Sequence, residues 1–153
     1  MTGYMAEMRK LVGHRTIIQC AASIVCIDER GRILLGKRTD NHKWGYSGGS
    51  VEIDERVEDC AKRELYEEMG LTADKIEFFL VNSGPEAHYT YPNGDEVSNF
   101  EIVYICTQWH GELAALDGEM EELRFFSPED IDISEISPPI RGVVEELVKR
   151  TSR

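Results

Sequence analysis

The sequence predicts one α/β domain, in which a mixed and largely antiparallel sheet lies between helices. The chain has 153 residues, a length that suits a single core of ordinary size. Hydrophobic residues make up 41% and charged residues 30% of the chain, so there is enough apolar material to fill that core. Strand patterns and helix patterns follow one another along the chain without an internal repeat, linker or low-complexity segment.

The first half of the chain predicts four elements before residue 70. In order they are a buried strand over 17–28, a returning strand over 32–38, a short strand over 51–54 and a helix over 57–69. We expect the first two strands to pair as a hairpin, because only a short polar turn separates them. Gly70 is expected to end the helix, since glycine readily adopts the left-handed conformation of a C-cap.

The second half predicts three more strands and a terminal helix. In order the elements are strands over 75–83, 96–109 and 123–126, a capped helix start at 127–130 and an amphipathic helix over 139–150. The pair Asn93-Gly94 predicts a tight turn before the long strand, because both residues tolerate a positive φ. An acidic loop over 111–122 leads into the last strand.

The charge balance of the chain limits its partners. Lysine and arginine number 17 against 29 aspartates and glutamates, which gives a net charge of −12. This charge repels a phosphate backbone and argues against general nucleic-acid binding. An anionic substrate would need a divalent cation between itself and the carboxylates. No apolar run could span a bilayer or direct export, so we expect a soluble protein, cytoplasmic if bacterial, with no membrane partner.

Two glutamates of the predicted helix, Glu64 and Glu68, break its amphipathic pattern, and Glu67 lies at the margin of the apolar sector. Glu64, Glu67 and Glu68 are spaced i, i+3 and i+4 and therefore share one surface, and a helical wheel puts Glu64 and Glu68 inside the apolar sector. Buried carboxylates that lie close together need a compensating positive charge. Because the donors are all hard oxygens, Mg²⁺ fits best and Mn²⁺ is a plausible substitute. The alternative is an ordinary glutamate-rich, solvated helix face.

The order of residues from 49 to 71 resembles the Nudix box. Every fixed position of that motif is filled, by Gly49, Glu55, Arg63, Glu64, Leu65, Glu67, Glu68, Gly70 and Leu71. A chance match in a chain of this length has a probability of about one in a million or less. The chain is therefore similar to Nudix hydrolases, and the resemblance implies their α/β/α sandwich across nearly the whole sequence.

The resemblance implies a magnesium-dependent hydrolase in which water attacks a phosphorus of a nucleoside diphosphate linked to another group. It implies Glu64 and Glu68 as the principal metal ligands, Glu67 as a ligand or the base, and the carbonyl of Gly48 as a further ligand. It also implies that Arg63 orients Glu67 through a charge-assisted hydrogen bond.

A further acidic residue outside the box often joins the metals in this family. Counting six positions back from Phe125 gives Glu119. The alternative for Glu119 is a solvated loop carboxylate beside other acidic residues. The sequence leaves the general base open among Glu67, Glu64 and Glu119.

Candidate substrate contacts outside the box are Arg38, Trp44, Tyr46 and Tyr89. Arg38 could contact phosphate, and Trp44 and Tyr46 could stack on a base. The alternatives are a solvated strand end for Arg38, a partly exposed core edge for Trp44 and Tyr46, and strand packing for Tyr89. Pro85 lies one residue before the proline position of ADP-ribose pyrophosphatases, whereas Tyr89 lies where dinucleoside-polyphosphate hydrolases often have a tyrosine.

The leading expectation is thus a pyrophosphohydrolase of a nucleotide-derived small molecule such as ADP-ribose. A pyrophosphatase of modified nucleoside triphosphates, of the oxidised dGTP type, is the close alternative. A non-catalytic nucleotide-sensing module is the alternative from another class. The oligomeric state stays open, a homodimer included.

Overall fold

Two sheets and three α-helices make up residues 3–151, the part of the chain that the computed structural model describes. In chain order the elements are α1 (Tyr4–Val12), β1 (Ile17–Cys26), β2 (Ile33–Arg38), β3 (Trp44–Gly45), β4 (Ser47–Ser50), α2 (Val57–Met69), β5 (Leu71–Asn82), β6 (His88–Thr90), β7 (Glu96–Gly111), β8 (Met120–Phe126) and α3 (Arg141–Thr151). The larger sheet has the order β4-β1-β7-β5, and β6 pairs with β7. Only the β1–β7 pairing is parallel among these described pairings, so the predicted α/β class with a mixed, largely antiparallel sheet is confirmed.

The strands do not form one sheet as the simplest expectation had it. A second sheet has the order β3-β2-β8 and is antiparallel throughout. The predicted β1–β2 hairpin is therefore wrong, and one isolated bridge from Ile27 to Ile33 joins the two segments. The side chain of Asp28 accepts hydrogen bonds from the backbone N–H groups of Arg30 (3.0 Å) and Arg32 (2.9 Å), and after this turn the chain enters the second sheet.

The short strand expected after the glycine pair is also misplaced. The strand lies earlier, as β4, and 51–54 form a loop in which Ile53 is exposed. Asp54 adopts a φ of +64°, a left-handed conformation that an extended strand does not contain. The loop is the connection that brings the chain from β4 to the start of α2.

Helix α2 has the predicted bounds and packs on one face of the larger sheet. Its side chains Cys60, Ala61, Leu65 and Met69 are buried in a cluster with residues of β1 and β7. Full burial of a leucine such as Leu65 contributes about 1.5–3 kcal/mol. Gly70 ends the helix with a φ of +77°, and its N–H donates to the carbonyl of Tyr66 (2.9 Å), as predicted.

Helix α3 covers a second apolar cluster on the other side of the sheet. Val143, Val144 and Leu147 pack there with Val25 and Val103, which belong to β1 and β7. The helix begins two residues later than predicted, because 138–140 form a 3-10 turn that contains two prolines.

The remaining predictions in the second half differ mainly at their boundaries. Strands β5, β7 and β8 are each longer than expected, and the turn at 91–95 is present, with Gly94 at a φ of +93°. Residues 128–130 form one 3-10 turn instead of a longer helix. Helix α1 was not predicted. Within residues 3–151, no helix has the length and apolar character needed to cross a membrane.

Candidate active site

The packing of α2 against β4 buries one carboxylate completely. Glu68 has no exposed surface, and its Oε1 accepts a hydrogen bond from the backbone N–H of Gly48 (2.9 Å) and a longer one from Ser47 Oγ (3.5 Å). Its Oε2 has no hydrogen-bond partner among the described residues. Burial, with the nearby charge of Glu64, raises the pKa of Glu68 well above its ordinary value. The prediction that this side chain points inward is confirmed.

Arg63 holds the other carboxylates of the helix in place. Its guanidinium donates to both oxygens of Glu55 (2.8 and 3.0 Å), to Oε1 of Glu64 (2.8 Å) and to Oε2 of Glu67 (3.3 Å). The Arg63–Glu67 contact expected from the family resemblance is therefore present, but it is the longest of the four. Hydrogen bonding from Arg63 lowers the pKa of Glu55 to about 2. The sequence identifies Glu55 as part of the motif but does not predict that Arg63 is its hydrogen-bond partner.

Glycine at positions 48 and 49 permits the close approach of three elements. A Cβ at Gly49 would lie 2.4 Å from the carboxyl carbon of Glu64, and a Cβ at Gly48 would lie 2.0 Å from Ser23 Oγ. A side chain at Gly48 would push β4 away from β1, and one at Gly49 would displace the carboxyl group of Glu64. The expectation that the carbonyl of Gly48 is a metal ligand stays a prediction.

Glu119 lies near the same carboxylates although it is distant in sequence. It immediately precedes β8, and its charge contributes to the raised pKa values of Glu64 and Glu68. Partial desolvation and the charge of Asp117 raise the pKa of Glu119 itself, although its side chain remains exposed. The structure thus brings the four predicted acidic residues together, while their roles as ligands or base stay predictions.

These side chains fit a hard divalent cation. They supply carboxylate oxygens only, and the unpartnered Oε2 of Glu68 is a buried acceptor that a cation could satisfy. Within residues 3–151, no three acidic, histidine or cysteine side chains lie close enough to hold an ion as they stand. Arg63 forms ion pairs with Glu64 and Glu67, so these two side chains would have to turn toward a bound ion.

A cavity of about 100 Å³ lies beside this cluster, and Gly48 and Gly49 line it. Arg38 also lines the cavity and forms a double hydrogen bond with Asp40 (2.9 and 2.8 Å). Burial acts against the charge of Arg38, but its pKa is raised on balance because Asp40 favours the cation. The guanidinium of Arg38 is thus a positive charge at the cavity, which suits the phosphate contact considered for it from the sequence.

The three aromatic candidates occupy different places. Tyr89 lines the cavity and packs edge-on against Tyr91, with ring centroids 5.0 Å apart. Tyr46 also lines it but is 6% exposed, and its hydroxyl donates to Glu101 (3.0 Å), so it serves as a hydrogen-bond donor and not as an open stacking platform. Trp44 is not brought to the cavity and packs edge-on against Phe126 at 4.9 Å.

Sequence reasoning missed Glu101, a buried carboxylate that also lines the cavity. It lies on β7 in the same alternation as Val103 and Ile105, which belong to the core cluster beneath α3. A carboxylate in the apolar alternation of a strand was the available signal, and it is the same kind of pattern break that identified Glu64 and Glu68.

Comparisons with known proteins agree with this geometry. Residues 18–147 match the family profile described as NUDIX domain. Nucleoside triphosphatase NudI of Escherichia fergusonii is 30% identical over 120 residues, which cover 71% of this chain and 84% of that protein. An oxidized purine nucleoside triphosphate hydrolase of Danio rerio is 40% identical over 57 residues, 35% of this chain and 36% of that one. The crystal structure of a MutT NUDIX hydrolase from Burkholderia pseudomallei superposes with a TM-score of 0.69 at 25% identity, covering 86% of this chain and 97% of that chain.

Proposed function

The chain belongs to the Nudix hydrolase family, and from this premise we propose that it is a metal-dependent pyrophosphohydrolase of nucleoside triphosphates. The observation that carries the proposal is the buried, unpartnered Oε2 of Glu68 among further carboxylates at the edge of a cavity. Such an oxygen is costly to bury unless a cation satisfies it. Mg²⁺ in turn prefers to share its coordination sphere with phosphate oxygens.

Each charged side chain has a separate task in the proposed reaction. Glu64 and Glu68 would hold the cation, which when bound supplies positive charge to the phosphate oxygens. Glu67 has 44% of its side chain exposed, so water can reach it, and it would accept the proton of the attacking water. The water oxygen forms a bond to phosphorus, and the anhydride P–O bond breaks with its electron pair leaving on the departing phosphate. Arg38 would bind a substrate phosphate at the cavity.

Nucleoside triphosphates replace ADP-ribose as the favoured substrate class. Two of the relatives named above are described as nucleoside triphosphate hydrolases, and that description supports the alternative weighed from the sequence. None of the relatives reported above is named for ADP-ribose. ADP-ribose therefore remains a comparison substrate in the test.

The test is hydrolysis of a panel of GTP, UTP, ATP, CTP and ADP-ribose in ¹⁸O-labelled water. We expect turnover with Mg²⁺ and none with EDTA, and the mass of the labelled product identifies the phosphorus that water attacked. Glu68→Gln should lower this turnover by at least about 100-fold, whereas Asp59→Asn, which changes an exposed carboxylate of the same helix, is the matched control and should retain it. A fully active Glu68→Gln variant, or a protein inactive on the whole panel, would contradict the proposal.

A further inference from the structure

Among residues 3–151, the side chains that hydrogen-bond to Glu101 at the cavity are all neutral donors. Its Oε2 accepts a hydrogen bond from Ser23 Oγ, and its Oε1 accepts from the hydroxyl of Tyr46 (3.0 Å) and from Asn82 Nδ2 (3.1 Å). Burial raises the pKa of Glu101 on balance, and these three hydrogen bonds oppose the rise. Three donors aimed at one carboxyl group favour its ionised form. The three hydrogen bonds thus stabilise the carboxylate form of Glu101 without a cationic partner among these contacts.

The hydrogen bonds of Glu101 leave one acceptor position available. An ionised carboxylate has about four lone-pair sites, and Tyr46 and Asn82 occupy two of them on Oε1. Ser23 occupies one on Oε2, so a second site on that oxygen remains. Because Glu101 lines the cavity, a ligand that enters meets a carboxyl group with room for one N–H donor.

The position of Glu101 suits the base end of a nucleotide. Gly48 on β4 is paired with Ser23 on β1, and Glu101 lies on β7, the next strand of the sheet. Strand β4, whose Gly48 N–H donates to Glu68, thus lies two strand spacings, about 10 Å, from β7, which carries Glu101. The cavity volume of about 100 Å³ is below the range of about 300–1,000 Å³ typical of pockets that enclose whole ligands, so it suits one ring system and not an entire nucleotide.

We propose that Glu101 is a specificity-determining residue that selects nucleobases with a ring N–H, the lactam bases guanine and uracil or thymine, over adenine and cytosine. The inference rests on the proposed function. A ring N–H can donate to the remaining lone pair of the carboxylate, in a charge-assisted hydrogen bond. At the corresponding ring position adenine and cytosine carry a nitrogen lone pair, which the carboxylate repels, so these bases could donate only from the adjacent amino group, with the base shifted in the cavity. Sites that hydrogen-bond a substrate N–H strongly reject analogues lacking it, because the buried group is left unpaired.

The test compares kcat/KM within two pairs of equal base size, GTP with ATP and UTP with CTP. We expect the wild-type protein to favour the lactam member of each pair by about 10- to 100-fold, the range for loss of one hydrogen bond to a charged group. Glu101→Gln should reduce both ratios to within about threefold, since the charge is lost while the shape is kept. Glu96→Gln is the matched control on the same strand, outside the cavity, and should keep the wild-type ratios.

A binding measurement separates this inference from the proposed function. In EDTA, where hydrolysis is excluded, calorimetric titration should show tighter binding of GMP than of AMP, and Glu101→Gln should remove the difference. Hydrolysis of all four triphosphates at similar kcat/KM by the wild-type protein would overturn the inference and leave the function standing. Preferential GMP binding without any hydrolysis would support the inference and overturn the function. Because the wild-type ratios decide the outcome alone, the test does not depend on the folding of the variant.

Discussion

Two buried carboxylates, Glu68 on α2 and Glu101 on β7, differ in how the protein satisfies them. Glu68 accepts hydrogen bonds on one oxygen and leaves the other without a partner among the described residues. Glu101 accepts hydrogen bonds on both oxygens, from Ser23, Tyr46 and Asn82. An unsatisfied buried anion calls for a cation, whereas an anion solvated by neutral dipoles can stand alone and present its charge to a ligand. Burial of a carboxylate therefore does not by itself indicate a metal ligand.

The largest expected effect is on turnover, and it differs in kind between the two residues. Glu68→Gln should lower kcat for every nucleotide by at least about 100-fold, because even residues that only orient a metal ligand cost about 10- to 100-fold. Glu101→Gln should instead change the ratio between nucleotides. Steady-state kinetics on the four triphosphates distinguishes a uniform loss from a selective one. The distinction between the two sites fails if both variants lose activity uniformly.

Arg63→Lys should have the next largest effect. Lysine keeps the charge but cannot replace the double hydrogen bond to Glu55 and the bonds to Glu64 and Glu67. We expect kcat to fall by about 10- to 100-fold. The ratios of kcat/KM for GTP over ATP and for UTP over CTP should stay at their wild-type values, since Arg63 donates none of the hydrogen bonds that Glu101 accepts from Ser23, Tyr46 and Asn82. A changed ratio would show that the two regions are coupled.

The effect of Mg²⁺ on the melting temperature should also differ between the Glu68 and Glu101 variants. Mg²⁺ at about 100 times its Kd stabilises a protein by about 2.7 kcal/mol, which corresponds to a rise in Tm of about 5–11 °C for a chain of this size. Glu68→Gln should abolish most of this rise, and Glu101→Gln should keep it. Differential scanning calorimetry with Mg²⁺ and with EDTA measures both. A rise of equal size in the Glu68→Gln variant would contradict the assignment of the cation to this residue.

The smallest expected effect concerns the pH dependence of stability. Burial raises the pKa values of Glu68 and Glu101 above 4.5, so in EDTA the folded state binds more protons than the unfolded state. These two groups therefore lower the free energy of unfolding as the pH rises from about 4.5 through their folded pKa values. Mg²⁺ should remove the contribution of Glu68 to this loss of stability, because the bound cation favours its ionised form. The contribution of Glu101 should remain.

Urea unfolding at pH 5 and pH 8 measures this difference. In Mg²⁺, the free energy of unfolding should fall less from pH 5 to pH 8 for Glu101→Gln than for the wild-type protein. Glu96→Gln serves as a control of opposite sign, because hydrogen bonds from Thr16 and His88 lower the pKa of Glu96. An identical pH dependence in Glu101→Gln and wild type would show that burial of Glu101 has no net cost.

The sequence by itself determined α2 and the direction of its carboxylates. The helical period is a local property, so Leu65 and Met69 fix the buried face and place Glu68 on it whatever the rest of the chain does. The same locality explains why Gly70 was correctly placed at the end of the helix.

Tertiary structure alone decided the division into two sheets and the site around Glu101. Strand pairing depends on which apolar surfaces meet, so the sequence could not show that β2 leaves β1 and pairs with β8. Ser23, Asn82 and Glu101 come from three strands that are far apart in the sequence, and no local period links them. The donors to the Glu101 carboxylate come together only when the strands pack. For that physical reason its hydrogen bonds could be identified only from the folded structure.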